Sequence, residues 1–556
     1  MAPEIKEKSK TLKEELISEF CASSSIHGVR YLDSAERTTC ERFWWIIVFF
    51  LSIAGGGSMI YEAYKKWDQN PIIVTFAEKT TPIWEVQFPA FTICPTTKVS
   101  AEKLNFTEEI RLLSNQSGLN STYNPYIVGQ LKAVAQVCPF WEYNPSLTEL
   151  NGTGENDVVN MLKNLSLARD SVVSHCGYAG YDCKPYMKEI VTESGLCYSF
   201  NMLPEDQIFR TDALHRNHAY MEEWITNEET EFEEYHIPLN ALGAGKISKL
   251  SMFLQTRKSD PDYKCSKHKQ GYTITLHESS EYPTEYKRSF YVSFDHKVQI
   301  YVKPQIMTTS QSAAGYHWSK RQCFFENERH LQFFKIYNQN NCEIECLANI
   351  TLTLCGCVLF SMPRTPGTEV CSLEMLGCTN YAVRIMSNTT KLFFNPFFQS
   401  DRPNTEEGDF ISTCNCIPAC SSVQYDVEVT QSPIDWEKAH EDDPHNFSYP
   451  DSFNNIFTLY FKDTQFITTQ RSELYGIVDF LANCGGFLGL FMGFSILSLL
   501  EICYFITIRP FSLRRRSKKE SRLADKKEDN NDMKSIKNLQ HAVANTVQNN
   551  SLDEKK

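Results

Sequence analysis

Several things are scarce in this sequence, and each scarcity removes a class of function. Positive charge is not in surplus: 55 Lys and Arg stand against 68 Asp and Glu, a formal net charge of -13, whereas a general nucleic-acid binder carries a basic surface. No nucleophile–base motif, glycine-rich phosphate loop or metal-ligand set stands clear of the cysteines, so an enzyme, a cofactor and a bound metal are not expected. No internal repeat is visible. The mean hydropathy of -0.36 is too low for a polytopic membrane protein, because many spans would drive it positive. What remains is a globular balance of 42% hydrophobic, 13% aromatic and 22% charged residues. The 556 residues suffice for two to four domains.

Long uncharged runs are few, and there are two of them. Residues 43–61 (FWWIIVFFLSIAGGGSMIY) lie between Arg42 and Glu62, and residues 480–500 (FLANCGGFLGLFMGFSILSLL) between Asp479 and Glu501. A bilayer core of about 30 Å needs roughly 20 such residues in a helix, so both are read as spans. The first is not a signal peptide: 42 residues precede it, and Trp44-Trp45 suits an interfacial anchor. Residues 507–556 hold 13 Lys and Arg against 7 Asp and Glu, with Arg514, Arg515, Arg516, Lys518 and Lys519 close behind the second run. This positive-inside bias puts the C-terminus in the cytoplasm. Residues 1–42, with 7 against 8, are neutral on the question, but two spans return them to the same side.

The division that follows is a cytoplasmic segment 1–42, a first span 43–63, an extracellular domain 64–473, a second span and pore 474–506 and a basic tail 507–556. The tail, polar and charged, reads as disordered. Cysteines and glycosylation sequons test the placement. Of 20 cysteines, 16 lie between Cys94 and Cys420; Cys21, Cys40, Cys484 and Cys503 fall in the tails or spans. Eight Asn-x-Ser/Thr sequons share that stretch, at Asn105, Asn115, Asn120, Asn151, Asn164, Asn349, Asn388 and Asn446; Asn549 in the basic tail is set aside as chance. Disulfide-capable cysteines and glycan acceptors clustered together mark an extracellular domain. Outside the tails, 35 Lys and Arg face 53 Asp and Glu. Such a surface concentrates cations within a Debye length of about 8 Å, or simply solubilises.

The dense cysteine run is Cys323, Cys342, Cys346, Cys355, Cys357, Cys371, Cys378, Cys414, Cys416 and Cys420. Zinc sites prefer ligand pairs two to four residues apart, so a disulfide ladder fits better. Cys342 and Cys346 are about 6 Å apart along a helix; Cys414 and Cys416 are about 6.6 Å apart along a strand. An extended segment antiparallel to a helix therefore bridges Cys342 to Cys416 and Cys346 to Cys414. Cys323–Cys420 closes the nest, and Cys355–Cys378 with Cys357–Cys371 lies inside it. Connectivity is not provable from sequence. The helix is expected to include the residues before Cys342, with Leu331, Phe334 and Ile336 on its apolar side. Period-two alternation over Ser289–Lys303 and Gln424–Thr430 predicts strands. The expected fold class is α+β: two transmembrane helices flanking a large disulfide-rich extracellular domain with a β-sheet core and helical appendages.

In the second run, Gly485, Gly489 and Gly493 recur every four residues, with Ala482 and Gly486 alongside. This is a close-packing face for helices in lipid. Asn483 and Ser495 are polar at membrane depth, and such groups face a bundle interior or a watery path. Gly493-Phe494-Ser495 sets bare backbone beside a hydroxyl, an oxygen-rich lining for a small cation.

With these residues in place, the chain resembles the degenerin/epithelial sodium channel family over nearly its whole length, most closely its pickpocket branch. The matching pieces are His27-Gly28, FPAFTIC at Phe88–Cys94, the run from Cys323 to CNCIPAC at Cys414–Cys420, YDVEV at Tyr425–Val429, and the pore block Leu481–Glu501. The resemblance implies a homo- or heterotrimer of related subunits in the lipid bilayer, conducting sodium ions independently of voltage, blocked by amiloride and gated through its extracellular domain. It implies that Gly493, Phe494 and Ser495 form the selectivity filter, Phe494 standing where other branches carry a small residue. Ala482 takes the gate position, and Asn483, Gly485, Gly486 and Gly489 line the pore. His27 and Gly28 fall in a cytoplasmic re-entrant element that supports it. The family's disulfides match the pairs above and add Cys94–Cys197 and Cys176–Cys183. Cys138 and Cys265 remain; a branch-specific eighth bridge is the simplest reading, with free or intermolecular thiols as the alternative. An ATP-gated purinergic trimer also has two spans but lacks FPAFTIC and the glycine–serine pore block. An accessory or receptor-like subunit that does not conduct alone has the same sequence features. The gating stimulus and any extracellular ligand are not legible.

Overall fold

The computed structural model describes residues 12–32, 38–115, 124–138, 147, 150–152, 157–223, 238–266, 269–285, 288–394, 414–442 and 451–550. The chain divides into two compact units, Met1–Ile72 with Glu473–Lys556, and Ile73–Ser472.

The first unit opens with α1 (Leu12–Ser23) and α2 (Thr39–Gln69). α2 overruns the uncharged run at both ends. At its start, the Thr38 hydroxyl accepts the Glu41 N–H while the Glu41 carboxylate accepts the Thr38 N–H, which satisfies two otherwise orphaned donors. Its 31 residues rise about 46 Å.

The second unit is built on two sheets. Its strands are β1 (Ile72–Pro82), β2 (Ala90–Pro95), β3 (Val173–Tyr178), β4 (Tyr181–Asp182), β5 (Lys188–Thr192), β6 (Gly195–Phe200), β7 (Leu250–Arg257), β8 (Gly271–His277), β9 (Ser289–Ser293), β10 (His296–Thr309), β11 (Ser422–Pro433), β12 (Ser452–Phe461) and β13 (Gln465–Glu473). Among the described residues an eight-stranded sheet runs β1-β13-β10-β12-β7-β3-β4, with β11 on β10, and a five-stranded sheet runs β5-β6-β2-β8-β9. β10 pairs antiparallel with β11, from His296 opposite Pro433 to Met307 opposite Ser422, and parallel with β12 and β13. Alternation along β7 and β10 turns Leu250, Met252, Leu254, Val298, Ile300 and Val302 into one core. The other sheet meets them there with Phe91, Ile93, Tyr198, Phe200, Tyr272 and Ile274. Phe91 stacks on Phe200 at 5.3 Å and lies 5.9 Å from Phe457.

The FPAFTIC segment supplies β2, which is buried along its whole length. Phe91 and Ile93 enter the inter-sheet core, while Ala90 and Cys94 enter a second cluster on the other face. Its one polar side chain, Thr92, donates to Ser199 at 3.1 Å and pairs with His277 at 2.8 Å. A strand covered on both faces reads as continuously apolar rather than alternating.

Ser289–Lys303 is not one strand. Asp295, at φ 57°, breaks it, so β9 joins the small sheet and β10 the large one. The helical appendages are α3 (Phe106–Asn115), α4 (Pro125–Val137), α5 (Val158–Leu165), α6 (Gln339–Cys355) and α7 (Leu376–Phe394), besides shorter turns. α6 starts later than its sequence suggests. Asn338 caps it by accepting the Asn341 N–H at 2.7 Å, and Leu331 and Phe334 sit in the irregular stretch before it, buried in the second cluster. The buried Asn341 amide donates to Ser280 O at 3.0 Å and accepts the Tyr282 N–H, which pins the helix start to the loop that follows β8. Eight disulfides join Cys94–Cys197, Cys138–Cys265, Cys176–Cys183, Cys323–Cys420, Cys342–Cys416, Cys346–Cys414, Cys355–Cys378 and Cys357–Cys371. Cys21, Cys40, Cys484 and Cys503 take no part in these disulfides.

The first unit closes with α8 (Ile477–Met492) and α9 (Ile496–Asn550). Two expectations are corrected here. The second apolar run is two helices rather than one, interrupted at Gly493–Ser495. The basic tail is helical to Asn550 rather than irregular: beyond Pro510 it has no proline or glycine, and its Lys, Arg, Ala and Leu content favours helix.

Candidate ion pathway

The interruption between α8 and α9 is the most constrained point of the first unit. Gly493 lies at φ 64°, the left-handed region that ends helices and favours glycine. Its N–H still bonds Gly489 O at 2.8 Å. A Cβ there would fall 1.6 Å from His27 Nδ1, so only glycine fits. The next helix is capped by its own sequence: Ser495 Oγ accepts the Ser498 N–H, and Ser498 Oγ accepts the Ser495 N–H. Phe494 is half-buried and Ser495 exposed.

The segment between α1 and α2 meets this break. The His27 N–H donates to Met492 O at 2.9 Å, and its Nδ1 lies 3.3 Å from the same oxygen. That carbonyl is one the end of α8 would otherwise leave orphaned, and lipid offers no water to satisfy it. Gly28, at φ 92°, lets the chain turn there. Ser25 donates through both N–H and hydroxyl to Glu501, at 3.0 and 2.9 Å, and its hydroxyl lies 2.7 Å from that of buried Ser498. Glu19 receives a two-pronged bond from Arg509, with Phe20 edge-on to Phe505 at 5.3 Å.

Ala482, Gly485 and Gly486 are exposed on α8, with Gly489 half-buried one turn on. A Cβ at Gly485 or Gly486 would meet nothing within 4 Å. This small-residue face therefore does not contact α2. α8 instead packs on α2 through Phe491, whose ring lies against Gly55 and Gly56; a Cβ on Gly55 would come within 2.8 Å of it. Asn483 is turned back into its own helix, donating to Asp479 O at 2.8 Å and to the Tyr475 hydroxyl. The structure thus brings His27 to Gly493, with Gly28 turning the chain beside it, links Ser495 to Ser498 and Ser498 to Ser25, and ties Asn483 to Asp479 and Tyr475 instead. Sequence reasoning missed Ser25, Glu501, the Glu19–Arg509 pair and the seat at Gly55. Only the glycine run 55–57 inside an apolar span signalled any of them.

The second unit holds carboxyls far from their ordinary state. Burial, then the neighbouring Glu281, pushes Glu278 up to about 7. Burial does the same to Glu193, to about 7, although its carboxylate accepts the Glu285 N–H at 2.6 Å. His215 and His218, rings 4.4 Å apart, are lowered to about 4 and about 3 by burial, with Arg364 nearby. Among the described residues no group of three or more His, Cys, Asp or Glu is arranged to hold a metal ion. Asn105, Asn151, Asn164 and Asn349 are exposed. Asn120 and Asn446, and the side chains of Asn115 and Asn388, lie outside the described residues.

Comparison with known proteins was made on this basis. The sequence profile of the family described as "Amiloride-sensitive sodium channel" matches residues 20–505. Pickpocket protein 28 of Drosophila melanogaster is 26% identical over 531 residues, 90% of this chain and 80% of that protein. The sodium channel protein Nach of the same organism is 22% identical, over 88% and 86%. Acid-sensing ion channel 4-B of Danio rerio is 21% identical, over 88% and 75%. A solved proton-activated chloride channel aligns over 83% of this chain and 95% of its own, at 7% identity and a TM-score of 0.25, too remote to bear on fold or function.

Proposed function

Because this chain belongs to the amiloride-sensitive sodium channel family, and is therefore a cation-channel subunit rather than an enzyme, we propose that it conducts sodium in preference to potassium, independently of voltage, as one of three subunits in the plasma membrane. Both termini are cytoplasmic in this reading, the extracellular unit governs opening, and amiloride blocks the current. Gly493, Phe494 and Ser495 form the selectivity constriction, and Ala482 sits at the gate. The trimer contains either copies of this chain or related subunits.

One observation carries the reading. The apolar run breaks at Gly493–Ser495, and the break is sustained by His27 and Gly28 from another part of the chain. Irregular backbone at membrane depth is tolerated where it is buried in protein or lines a water-filled cavity, and freed carbonyls and hydroxyls can replace part of an ion's hydration shell. The exposed face of Ala482, Gly485 and Gly486 supports assembly, since small residues let neighbouring helices approach closely. The test is the sodium/potassium permeability ratio of cells expressing the chain: Ser495→Cys should change the ratio and not merely the current. An unchanged ratio moves the filter elsewhere, with Ser498 the next candidate. If the chain yields current only beside a related subunit, it is an accessory subunit.

A further inference from the structure

We propose that Glu19 and Arg509 are positioning residues for ion selection: their ion pair holds the far end of the segment that completes the helix break at Gly493–Ser495, and so sets how well that break separates sodium from potassium. The inference rests on the reading above, in which the break is the constriction. Neither residue belongs to the constriction itself. Both act on it through the chain that leads to His27.

Four residues of α9 form one stripe. Ser498, Glu501, Phe505 and Arg509 are spaced three, four and four apart, which puts them on a single helix face. Each meets the N-terminal segment. The Ser25 hydroxyl lies 2.7 Å from that of Ser498 and donates to Glu501 at 2.9 Å, and Phe505 meets Phe20 at 5.3 Å. Arg509 meets Glu19, its Nε donating to Oε2 at 2.8 Å and its Nη2 to Oε1. The segment therefore runs antiparallel to α9 from Glu19 to Ser25 and delivers the His27 N–H to Met492 O. At the end nearer the break, Ser498 is bonded to Ser495. Arg509 closes the other end, about 16 Å from Ser498 along the helix. Its two-pronged grip fixes the orientation of the carboxylate as well as its distance. The two side chains are 24% and 38% exposed, and a partly buried pair is screened less than a surface one. Glu19 stands near the end of α1, and only Ser24, Ser25 and Ile26 separate that helix from His27. The Ser24 N–H continues the helix by bonding Phe20 O at 2.8 Å. A shift of α1 along α9 is thus carried to His27 with little slack to absorb it. The His27 ring lies directly against Gly493, so its displacement reaches the backbone of the constriction.

The test is the sodium/potassium permeability ratio of cells expressing the full chain beside a conducting related subunit, so that current is present whether or not the chain conducts alone. Surface protein is measured in parallel by biotinylation. Glu19→Arg and Arg509→Glu should each lower the ratio by about threefold, the scale of one half-exposed ion pair, with surface protein close to wild type. The exchange Glu19→Arg/Arg509→Glu re-forms the pair in reverse and should return the ratio to the wild-type value. Single changes that reduce surface protein but leave the ratio unmoved overturn the proposal, because the pair then serves stability alone. Where a single change keeps the chain from the surface, the exchange is read by itself: surface protein with the wild-type ratio supports the pair. An exchange that fails to reach the surface, or reaches it with an altered ratio, overturns the pair. Ser495→Cys in the same cells separates the two failures. A ratio moved by Ser495→Cys and not by the single changes overturns the positioning role and keeps the constriction; a ratio moved by neither overturns the constriction and the role that depends on it.

Discussion

The two units of this chain are held together by different means. Residues 73–472 have an aromatic core between two sheets, and all eight disulfides. The unit of residues 1–72 and 473–556 has no disulfide among its described residues. There, an interrupted helix is completed by one backbone bond from His27, a pair of serines and an ion pair. A core of interlocked rings resists local change, because losing any ring leaves a void. A junction of single polar contacts, each worth about 1 kcal/mol net, can exchange one arrangement for another at small cost. The difference separates a part held by a packed core and covalent bridges from one whose helix break is held by single polar contacts.

The largest effect should come from removing the rings. Phe91→Ala, with its contacts to Phe200 and Phe457, should cost about 3–5 kcal/mol and abolish mature surface protein, measured by surface biotinylation. Surface levels near wild type would mean that the disulfides alone sustain the unit.

Gly493→Ala should have the opposite profile. The left-handed conformation costs an alanine about 1–2 kcal/mol, and the overlap with His27 adds to it. Surface protein should persist while current falls at least tenfold. Loss of both together would erase the contrast between the units.

Ala482→Val tests how easily the softer unit shifts. A larger side chain at a tight seam costs about 1–3 kcal/mol. If only the closed state is that tight, the population moves toward open, by about tenfold for 1.4 kcal/mol. A standing, amiloride-sensitive current without stimulus is expected. Absence of that current at equal surface expression, even beside a conducting relative, would remove Ala482 from the gate.

The smallest effect concerns pH and the unit of residues 73–472. Glu278 and Glu193 have folded values near 7, above the unfolded value near 4.3. The folded state therefore binds more protons than the unfolded state between those limits, and stability falls as pH rises through the window. His215, His218 and His277, lowered to about 4, about 3 and about 4, act in the reverse sense as pH falls through about 6.5. From pH 8 to about 6.5 the carboxyls gain protons in the fold while the unfolded histidines, half-protonated at about 6.5, offset part of that gain, so the Tm of the purified chain should rise only slightly. Glu278→Gln should flatten that slope and raise the Tm at pH 8. A slope unchanged in the variant would show Glu278 to be ionised in the fold.

Much of this was legible in the residues. Two uncharged runs, a cysteine cluster and a basic stretch after the second run are one-dimensional features, because span length, cysteine spacing and charge bias do not depend on what packs against what. The spacing of Cys342, Cys346, Cys414 and Cys416 pointed to a helix beside an extended segment, and the structure has one. Where the sequence misled, a local cap or turn overrode periodicity: Asn338 delays α6, and Asp295 divides Ser289–Lys303 between two sheets. The tail misled differently, since polarity reads as disorder although its residues are good helix formers.

The pore segment shows the limit most clearly. Glycine and serine at 493 and 495 could be seen from composition to suit a cation. That Gly493 adopts φ 64°, and that His27 stands where its side chain would be, needed residues 466 positions apart in sequence to be brought together. Likewise nothing local announced that Ser25 would bond Glu501, or that Asn483 would turn to Tyr475 instead of a pathway. Hydrophobicity and charge act residue by residue, so the chain alone determined which segments enter a membrane and which stay in water. Hydrogen bonds and close contacts require a partner at a given distance and angle, so which polar groups face an ion and which merely complete the backbone was decided only by the folded structure.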